Sequence, residues 1–153
     1  NLGILDKPYN FLTQPFAAKM VIILALLWRW TGYNMVFFLS GLQNIEYSVY
    51  EAAKIDGASA IQTFFKITVP LLKPTILLTA IMSTNGTLQL FDESINLTDG
   101  GPANASISMS HYIYNLCFKY VPNFGYAAAM SFFILLLVAV LAFIQMRVGD
   151  KRD

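Results

Sequence analysis

The stretch of sequence that decides the fold is residues 126–146, YAAAMSFFILLLVAVLAFIQM, which contains no charged side chain. About 20 consecutive apolar residues are enough for an α-helix to cross the hydrocarbon core of a bilayer. Arg147, Lys151 and Arg152 follow in the tail 147–153, as is usual for basic residues at a membrane surface. Residues 126–146 therefore predict a membrane-spanning helix.

The composition of the chain agrees with a membrane protein. Of the 153 residues, 56% are hydrophobic and 12% are charged, and the mean hydropathy is +0.55. Soluble domains carry about 25% charged residues, which disfavours a water-soluble enzyme. The formal net charge of +1 gives no indication of nucleic-acid binding. The single Cys117 and the single His111 predict neither a disulfide framework nor a metal site.

Two further segments have the length of a membrane span. Residues 20–42 are apolar apart from Arg29 and a few small or polar side chains. Residues 74–91 begin as PTILLTAIM and become polar from Ser83 onwards. The three segments together predict an all-α, polytopic transmembrane helical bundle.

Lysine and arginine residues predict the orientation of these spans, because cytoplasmic segments collect them. Segments 43–73 and 147–153 hold six such residues, whereas segments 1–19 and 92–125 hold three. The bias predicts an external segment 1–19, a cytoplasmic loop 43–73, an external loop 92–125 with an interfacial helix around His111, and a cytoplasmic tail. We therefore expect a multi-pass protein of the cytoplasmic membrane, with its N terminus outside and its C terminus in the cytoplasm.

The predicted cytoplasmic loop carries two helix-start signals. Ser48 and Glu51 are spaced as in a capping box, in which each side chain bonds to the backbone N–H of the other residue. Ser59 and Gln62 repeat this spacing, and Gly57 before them can take the left-handed conformation that ends helices. We predict a short helix, a glycine elbow and a second helix. A linker helix on the membrane surface is the alternative interpretation.

The residues of this loop resemble the EAA loop of permease subunits in binding-protein-dependent ABC importers. The matching pattern is Glu51-Ala52-Ala53, three residues, Gly57, nine residues, then Ile67, Val69 and Pro70. Flanking segments are similar to the carbohydrate branch of these permeases, including the maltose, lactose and multiple-sugar types: WRWTGY from Trp28, GLQNI from Gly41, DGA from Asp56, FD from Phe91, LTDGGP from Leu97 and FGYAAA from Phe124. Because the similarity covers only the C-terminal half of such a subunit, and Asn1 opens no signal peptide, we expect a piece of a longer protein.

The resemblance implies that the first loop helix is a coupling helix seated on an ATP-binding subunit. The residues implied for this contact are Glu51, Ala52, Ala53, Asp56 and Gly57. Implied partners are a second permease subunit, two ATP-binding cassette subunits, an external solute-binding protein, membrane lipid and a carbohydrate substrate. ATP and Mg would bind to the partner subunits, and no cofactor would bind to this chain, which has no Gly-rich phosphate loop. The chain departs from the family at Val69, usually leucine, and at Glu46, commonly proline.

The polar part of the second predicted span holds the candidate substrate-path residues. Polar groups in hydrocarbon must face protein or water, and interrupted helices often line substrate paths. Thr84, Asn85 and Gln89 are candidates to contact a sugar, the latter two because four residues separate them on one helix face. Hydrogen bonds between helices are the alternative.

Arg29 is the one charged residue deep inside a predicted span. Exposure to lipid would cost roughly 2.5–3.5 kcal/mol, so we expect a partner or a position that faces the bundle. Trp28 and Trp30 beside it can stack on its guanidinium or on sugar rings. Structural pairing is the favoured interpretation, and a place on the path is the alternative.

The expected function is a transmembrane permease subunit of an ABC importer that moves a sugar or oligosaccharide, driven by ATP hydrolysis on partner subunits. A permease for a peptide, amino acid or phosphate would share the EAA loop and is the alternative. An intramembrane enzyme is a more distant alternative, because it would need paired ligands within the spans. The adjacent Asp92 and Glu93 rarely converge on one bond, so we predict no catalytic residue.

Overall fold

The structure is a computed structural model that describes residues 11–149, and within them all regular elements are helical. Two helices are long and apolar enough to cross a membrane. Helix α1 comprises Pro15–Gln43, preceded by a 3₁₀-helix at Phe11–Thr13, and helix α8 comprises Phe124–Gly149. Both helices extend beyond the apolar windows 20–42 and 126–146. The all-α membrane fold is therefore confirmed.

The middle span is bent. Helix α5, Lys73–Leu88, has 16 residues, fewer than the roughly 20 that a straight span needs. It follows a helical segment made of α3 (Ala60–Thr63), a π-helix (Phe64–Thr68) and α4 (Val69–Leu71). This segment and α5 together have the length and hydropathy of a span but meet at 65°. The described residues thus contain two spans, or three if the bent pair is one span.

Helix α2, Tyr47–Ile55, shows that the first predicted capping box is wrong. Its N-cap is Glu46, and no side chain caps the helix. Ser48 lies inside the first turn, and its hydroxyl donates to Glu46 Oε2 at 3.2 Å. The helix begins one residue before Ser48, so this hydroxyl cannot take the N-cap position that the pattern assigned to it.

The elbow after α2 and the second capping box are confirmed. Gly57 has a φ of +75°, and the N–H groups of Gly57 and Ala58 donate to the carbonyls of Lys54 and Ala53 at 3.2 and 3.0 Å. This pair of bonds is the Schellman arrangement that ends helices. Beyond it, Ser59 N–H donates to Gln62 Oε1 at 2.8 Å, and the Gln62 N–H returns a bond to Ser59 Oγ.

The chain divides into two compact units. The EAA-loop unit comprises residues 30–85 and 139–149, and the external-loop unit comprises residues 11–29 and 86–138. The external-loop unit contains α6 (Asp92–Thr98), α7 (Met109–Tyr114) and a π-helix (Asn115–Lys119). The segment predicted to hold one interfacial helix therefore holds two short helices and a π-helical turn.

Candidate functional site

Helix α2 presents most of the candidate coupling residues on its accessible side. Glu51, Ala52 and Asp56 are exposed, whereas Ala53 is 5% exposed. Burial of Ala53 means that its small side chain serves packing within this chain. Ile55, 86% exposed, lies on the same short helix and was not identified from the sequence. Ile55 adds an accessible apolar side chain to the exposed polar residues of this helix.

Contacts within the EAA-loop unit hold α2 in place. The hydroxyl groups of Tyr50 and Thr68 lie 3.3 Å apart, which joins α2 to the π-helix Phe64–Thr68. Thr68 is itself buried. The Schellman bonds at Gly57 add a second fixed point, so α2 is held near its middle and at its C-terminal end.

The polar part of α5 forms hydrogen bonds with both long helices. The Asn34 side-chain amide of α1 donates to Ser83 Oγ at 3.0 Å, and the Gln145 amide of α8 donates to Thr84 Oγ1 at 2.8 Å. For Thr84 the structure therefore shows the alternative that the sequence left open, a hydrogen bond between helices.

Asn85 and Gln89 differ in backbone setting. Both side chains are exposed, but α5 ends at Leu88, and Gln89 follows in a turn closed by the Leu90 N–H bond to Thr87 O at 3.3 Å. The prediction that both residues share one helix face is therefore wrong. The helix stops before Gln89, so the fourfold spacing no longer aligns the two side chains.

The expected partner of Arg29 is Glu93. The Arg29 Nη1 atom lies 2.9 Å from Glu93 Oε1, and the two side chains are 41% and 11% exposed. This ion pair confirms the prediction that Arg29 has a partner. Trp28 is largely exposed, and the Trp30 ring packs edge-on against Tyr33 with centroids 5.6 Å apart.

A buried polar cluster in the external-loop unit was missed by the sequence interpretation. His111 and Ser94 are fully buried, and His111 Nδ1 lies 2.8 Å from Ser94 Oγ. The Ser94 hydroxyl donates to Ser106 O at 2.8 Å and accepts from the Ser108 N–H at 3.2 Å. Because its only proton is used on Ser106, His111 Nδ1 must carry a proton and donate it to Ser94.

Further contacts close the loop around this cluster. Ser106 Oγ lies 2.7 Å from Thr98 Oγ1, and the Thr98 hydroxyl donates to Ser94 O at 2.9 Å. Gly100 has a φ of +77°, and a β-carbon there would lie 3.4 Å from the His111 ring. The LTDGGP segment, which carried part of the family resemblance, therefore supplies the wall of the histidine pocket.

The charges around His111 lie on one side of the ring. Lys119 Nζ bonds both oxygens of Asp99, at 2.8 and 2.9 Å, and His111 Nε2 lies 3.7 Å from Asp99 Oδ1. The hydrogen bond and charge of Lys119 lower the pKa of Asp99, and Asp99 raises the pKa of Lys119. Burial lowers the pKa of His111, so Nε2 is unprotonated near neutral pH.

This Ser-His-Asp arrangement cannot work as a nucleophilic triad. Ser94 is fully buried, so no substrate reaches its oxygen, and its proton is committed to the Ser106 carbonyl. A triad base must also receive the serine proton, whereas His111 Nδ1 donates to Ser94. The cluster joins Ser94, Ser106, Ser108 and His111 and so holds this segment together.

The sequence signature described as "Binding-protein-dependent transport system inner membrane component" matches residues 5–152. The chain belongs to this family. Membership makes it a multi-pass membrane permease component rather than an enzyme. An EAA-type loop with a coupling helix is typical of the family, and α2 with its elbow occupies that position.

Among its relatives are two curated permeases. The chain is 55% identical over 153 residues to the lactose transport system permease protein LacF of Rhizobium radiobacter, covering 99% of this chain and 51% of the relative. It is 35% identical over 150 residues to the multiple sugar-binding transport system permease protein MsmF of Streptococcus mutans, covering 98% and 51%. The chain thus spans about half the length of these relatives.

Two solved structures of bacterial alginate ABC transporters have the same fold. One, which imports the acidic polysaccharide alginate, is 25% identical with a TM-score of 0.81, covering 96% of this chain and 51% of its own. The other, in complex with a periplasmic protein bound to an alginate pentasaccharide, is 27% identical with a TM-score of 0.69, covering 96% and 49%.

Replacing Gly57 by valine should loosen the elbow of this permease loop. A left-handed φ costs a residue with a β-carbon about 1–2 kcal/mol, and a β-carbon at Gly57 would meet no atom within 4 Å. Hydrogen exchange of the Ala58 amide should be faster in Gly57→Val than in Gly57→Asn, since asparagine tolerates this conformation. Equal exchange in both variants would contradict the strain argument.

The Arg29–Glu93 pair should appear as an energetic coupling. Replacing one of the two side chains leaves the other partly buried without its counter-charge. Replacing both leaves no uncompensated charge. A double-mutant cycle of Arg29→Gln and Glu93→Gln, measured by thermal unfolding in detergent, should give a coupling of roughly 0.5–1 kcal/mol, because Arg29 is 41% exposed. Additive effects of the two substitutions would show that the pair contributes nothing to stability.

The segment 92–119 should lose stability on acidification between pH 7.5 and 5.5. Burial in the folded state lowers the pKa of His111, so the unfolded segment binds a proton more readily than the folded one. The free energy of unfolding that the neutral His111 contributes is therefore present above pH about 6.5 and is lost as the pH falls below that value. Asp99 and Lys119 keep their charges in this window, because their ion pair lowers the pKa of the Asp99 carboxyl and raises the pKa of the Lys119 ammonium.

Hydrogen exchange of residues 92–119, corrected for the intrinsic effect of pH, measures this loss. His111→Asn keeps an N–H donor towards Ser94 without titrating, so its corrected exchange should be independent of pH. An identical pH response in His111→Asn and the unchanged chain would exclude His111 as its source.

Proposed function

We propose that the chain is part of a permease subunit of an ABC importer that moves a sugar or oligosaccharide across the cytoplasmic membrane. The observation that carries this proposal is the 55% identity to a lactose permease over the whole chain. The trehalose/maltose transport system permease protein MalF of Thermococcus litoralis, 37% identical over 151 residues, adds support. These relatives favour a carbohydrate over the alternative substrates, a peptide, amino acid or phosphate.

ATP hydrolysis on partner subunits would drive the transport. We place the contact with an ATP-binding cassette subunit on α2, where Glu51, Ala52 and Asp56 are exposed beside Ile55. Glu51 makes no cap bond, so the capping role predicted for it from the sequence does not occupy its side chain. ATP and Mg²⁺ would be bound by two such subunits, and this chain would bind no cofactor.

The other partners follow from the same family. A second permease subunit would complete the translocation path, and an external solute-binding protein would deliver the sugar. The known structure of an alginate transporter with its sugar-bound periplasmic protein supports this assembly by analogy. The bias of basic residues supports a cytoplasmic EAA loop and C terminus and an external segment 92–125.

The substrate path is proposed to include Asn85, whose side chain is exposed at the polar end of α5. Gln89 is a second candidate, outside the helix. Thr84 would instead hold the walls of the path together through Gln145. Trp28, exposed on α1, offers a ring face of the kind that stacks on sugars.

Calorimetry on the cognate solute-binding protein tests the substrate class. We expect binding of a disaccharide or oligosaccharide, together with uptake of the same sugar by the full-length importer in proteoliposomes containing ATP. Binding of amino acids or peptides alone would overturn the carbohydrate assignment while leaving the family membership intact.

A further inference from the structure

A cavity of about 450 Å³ lies between α5 and α8 inside the EAA-loop unit. Leu77 of α5 lines one side, and Phe143, Met146 and Arg147 of α8 line the other. Binding sites for small ligands usually measure about 300–1,000 Å³. The cavity is therefore large enough for part of an amphipathic molecule.

The end of α8 comes very close to Leu77. A β-carbon added at Gly149 would lie 2.5 Å from Leu77 Cδ1, so a larger residue there would require the Leu77 side chain to shift. The close approach brings the last turn of α8 against the first half of α5. The cavity lies beside this contact, with helical walls on both sides.

The cavity combines an apolar lining with one permanent positive charge. The Arg147 guanidinium carbon lies 5.5 Å from the centroid of the Phe143 ring. Among residues 11–149, no carboxylate forms an ion pair with Arg147. Arginine keeps its charge at every accessible pH, so an anion is the complementary partner.

We propose that this cavity binds an anionic phospholipid. An acyl chain would lie on Leu77, Phe143 and Met146, and the phosphate would pair with Arg147. The apolar lining continues along α8 into the exposed side chains of Val140 and Ile144, on a helix that can cross the membrane.

Both parts of the lining are needed to select this class of ligand. A soluble anion would pair with Arg147 but gain nothing from three apolar side chains. A neutral lipid would cover the apolar side chains but leave Arg147 without a counter-charge. Basic sites between transmembrane helices near the membrane surface are known to bind anionic headgroups.

Native mass spectrometry of the full-length permease in its assembled importer tests the proposal. The complex is purified from vesicles containing equal amounts of dioleoyl phosphatidylglycerol and dioleoyl phosphatidylcholine, and bound lipids are counted. We expect phosphatidylglycerol to be retained over phosphatidylcholine, and Arg147→Gln to reduce this preference about fivefold. Arg147→Lys should keep most of it.

Matched variants separate the cavity from general surface charge. Lys66→Gln removes an equal charge from an exposed side chain that does not line the cavity, and should have a smaller effect than Arg147→Gln. Leu77→Trp keeps every charge but fills the cavity, and should also reduce retention of phosphatidylglycerol. All variants are compared as complexes with the same elution volume, so a folding defect is recognised separately.

Three results would overturn the proposal. The first is equal retention of phosphatidylglycerol by the unchanged complex and Arg147→Gln. The second is equal retention of the two lipids by the unchanged complex. The third is efficient cross-linking of Phe143→Cys to another helix of the importer without bound lipid, which would show that protein covers the cavity.

Discussion

The hydrogen bonds that α5 forms with both long helices are the interactions on which the membrane part of the structure depends. A bilayer core offers no water, so the polar side chains Ser83 and Thr84 require partners within the protein. Asn34 of α1 and Gln145 of α8 provide them, at 3.0 and 2.8 Å. Among the helices of the candidate spans, the least apolar one with a full helical run, α5, is thereby joined to α1 and α8, which are more apolar.

The bend before α5 follows from the same part of the chain. Helix α5 begins beside Pro74, and α4 contains Pro70, and neither proline has an N–H group to continue a helical ladder. The chain therefore turns by 65° between the two segments. Further back in the chain, the Gly57 elbow ends α2 as a separate short helix, and the Tyr50–Thr68 contact joins it to the π-helix, with Glu51 and Asp56 left exposed.

Local patterns in the sequence predicted the local structure well. Apolar runs gave the long helices, and the Gly57 elbow and the Ser59 capping box depend only on neighbouring residues. The capping box predicted at Ser48 was wrong, because α2 begins one residue earlier, at Tyr47, and its N-cap is Glu46. The contacts of Arg29 with Glu93 and of His111 with Ser94 join distant segments, so no local pattern could identify these pairs.

The claim that α2 docks on a cytoplasmic ATP-binding subunit is tested most directly by cysteine cross-linking. With Cys117 replaced by serine, Ile55→Cys carries a thiol-linked photo-cross-linker in the full-length importer, and Ala53→Cys is the buried control. The account predicts cross-linking from Ile55 to the ATP-binding subunit, and labelling by an impermeant maleimide only in inside-out vesicles. Labelling in intact spheroplasts, or cross-linking to the solute-binding protein, would contradict it.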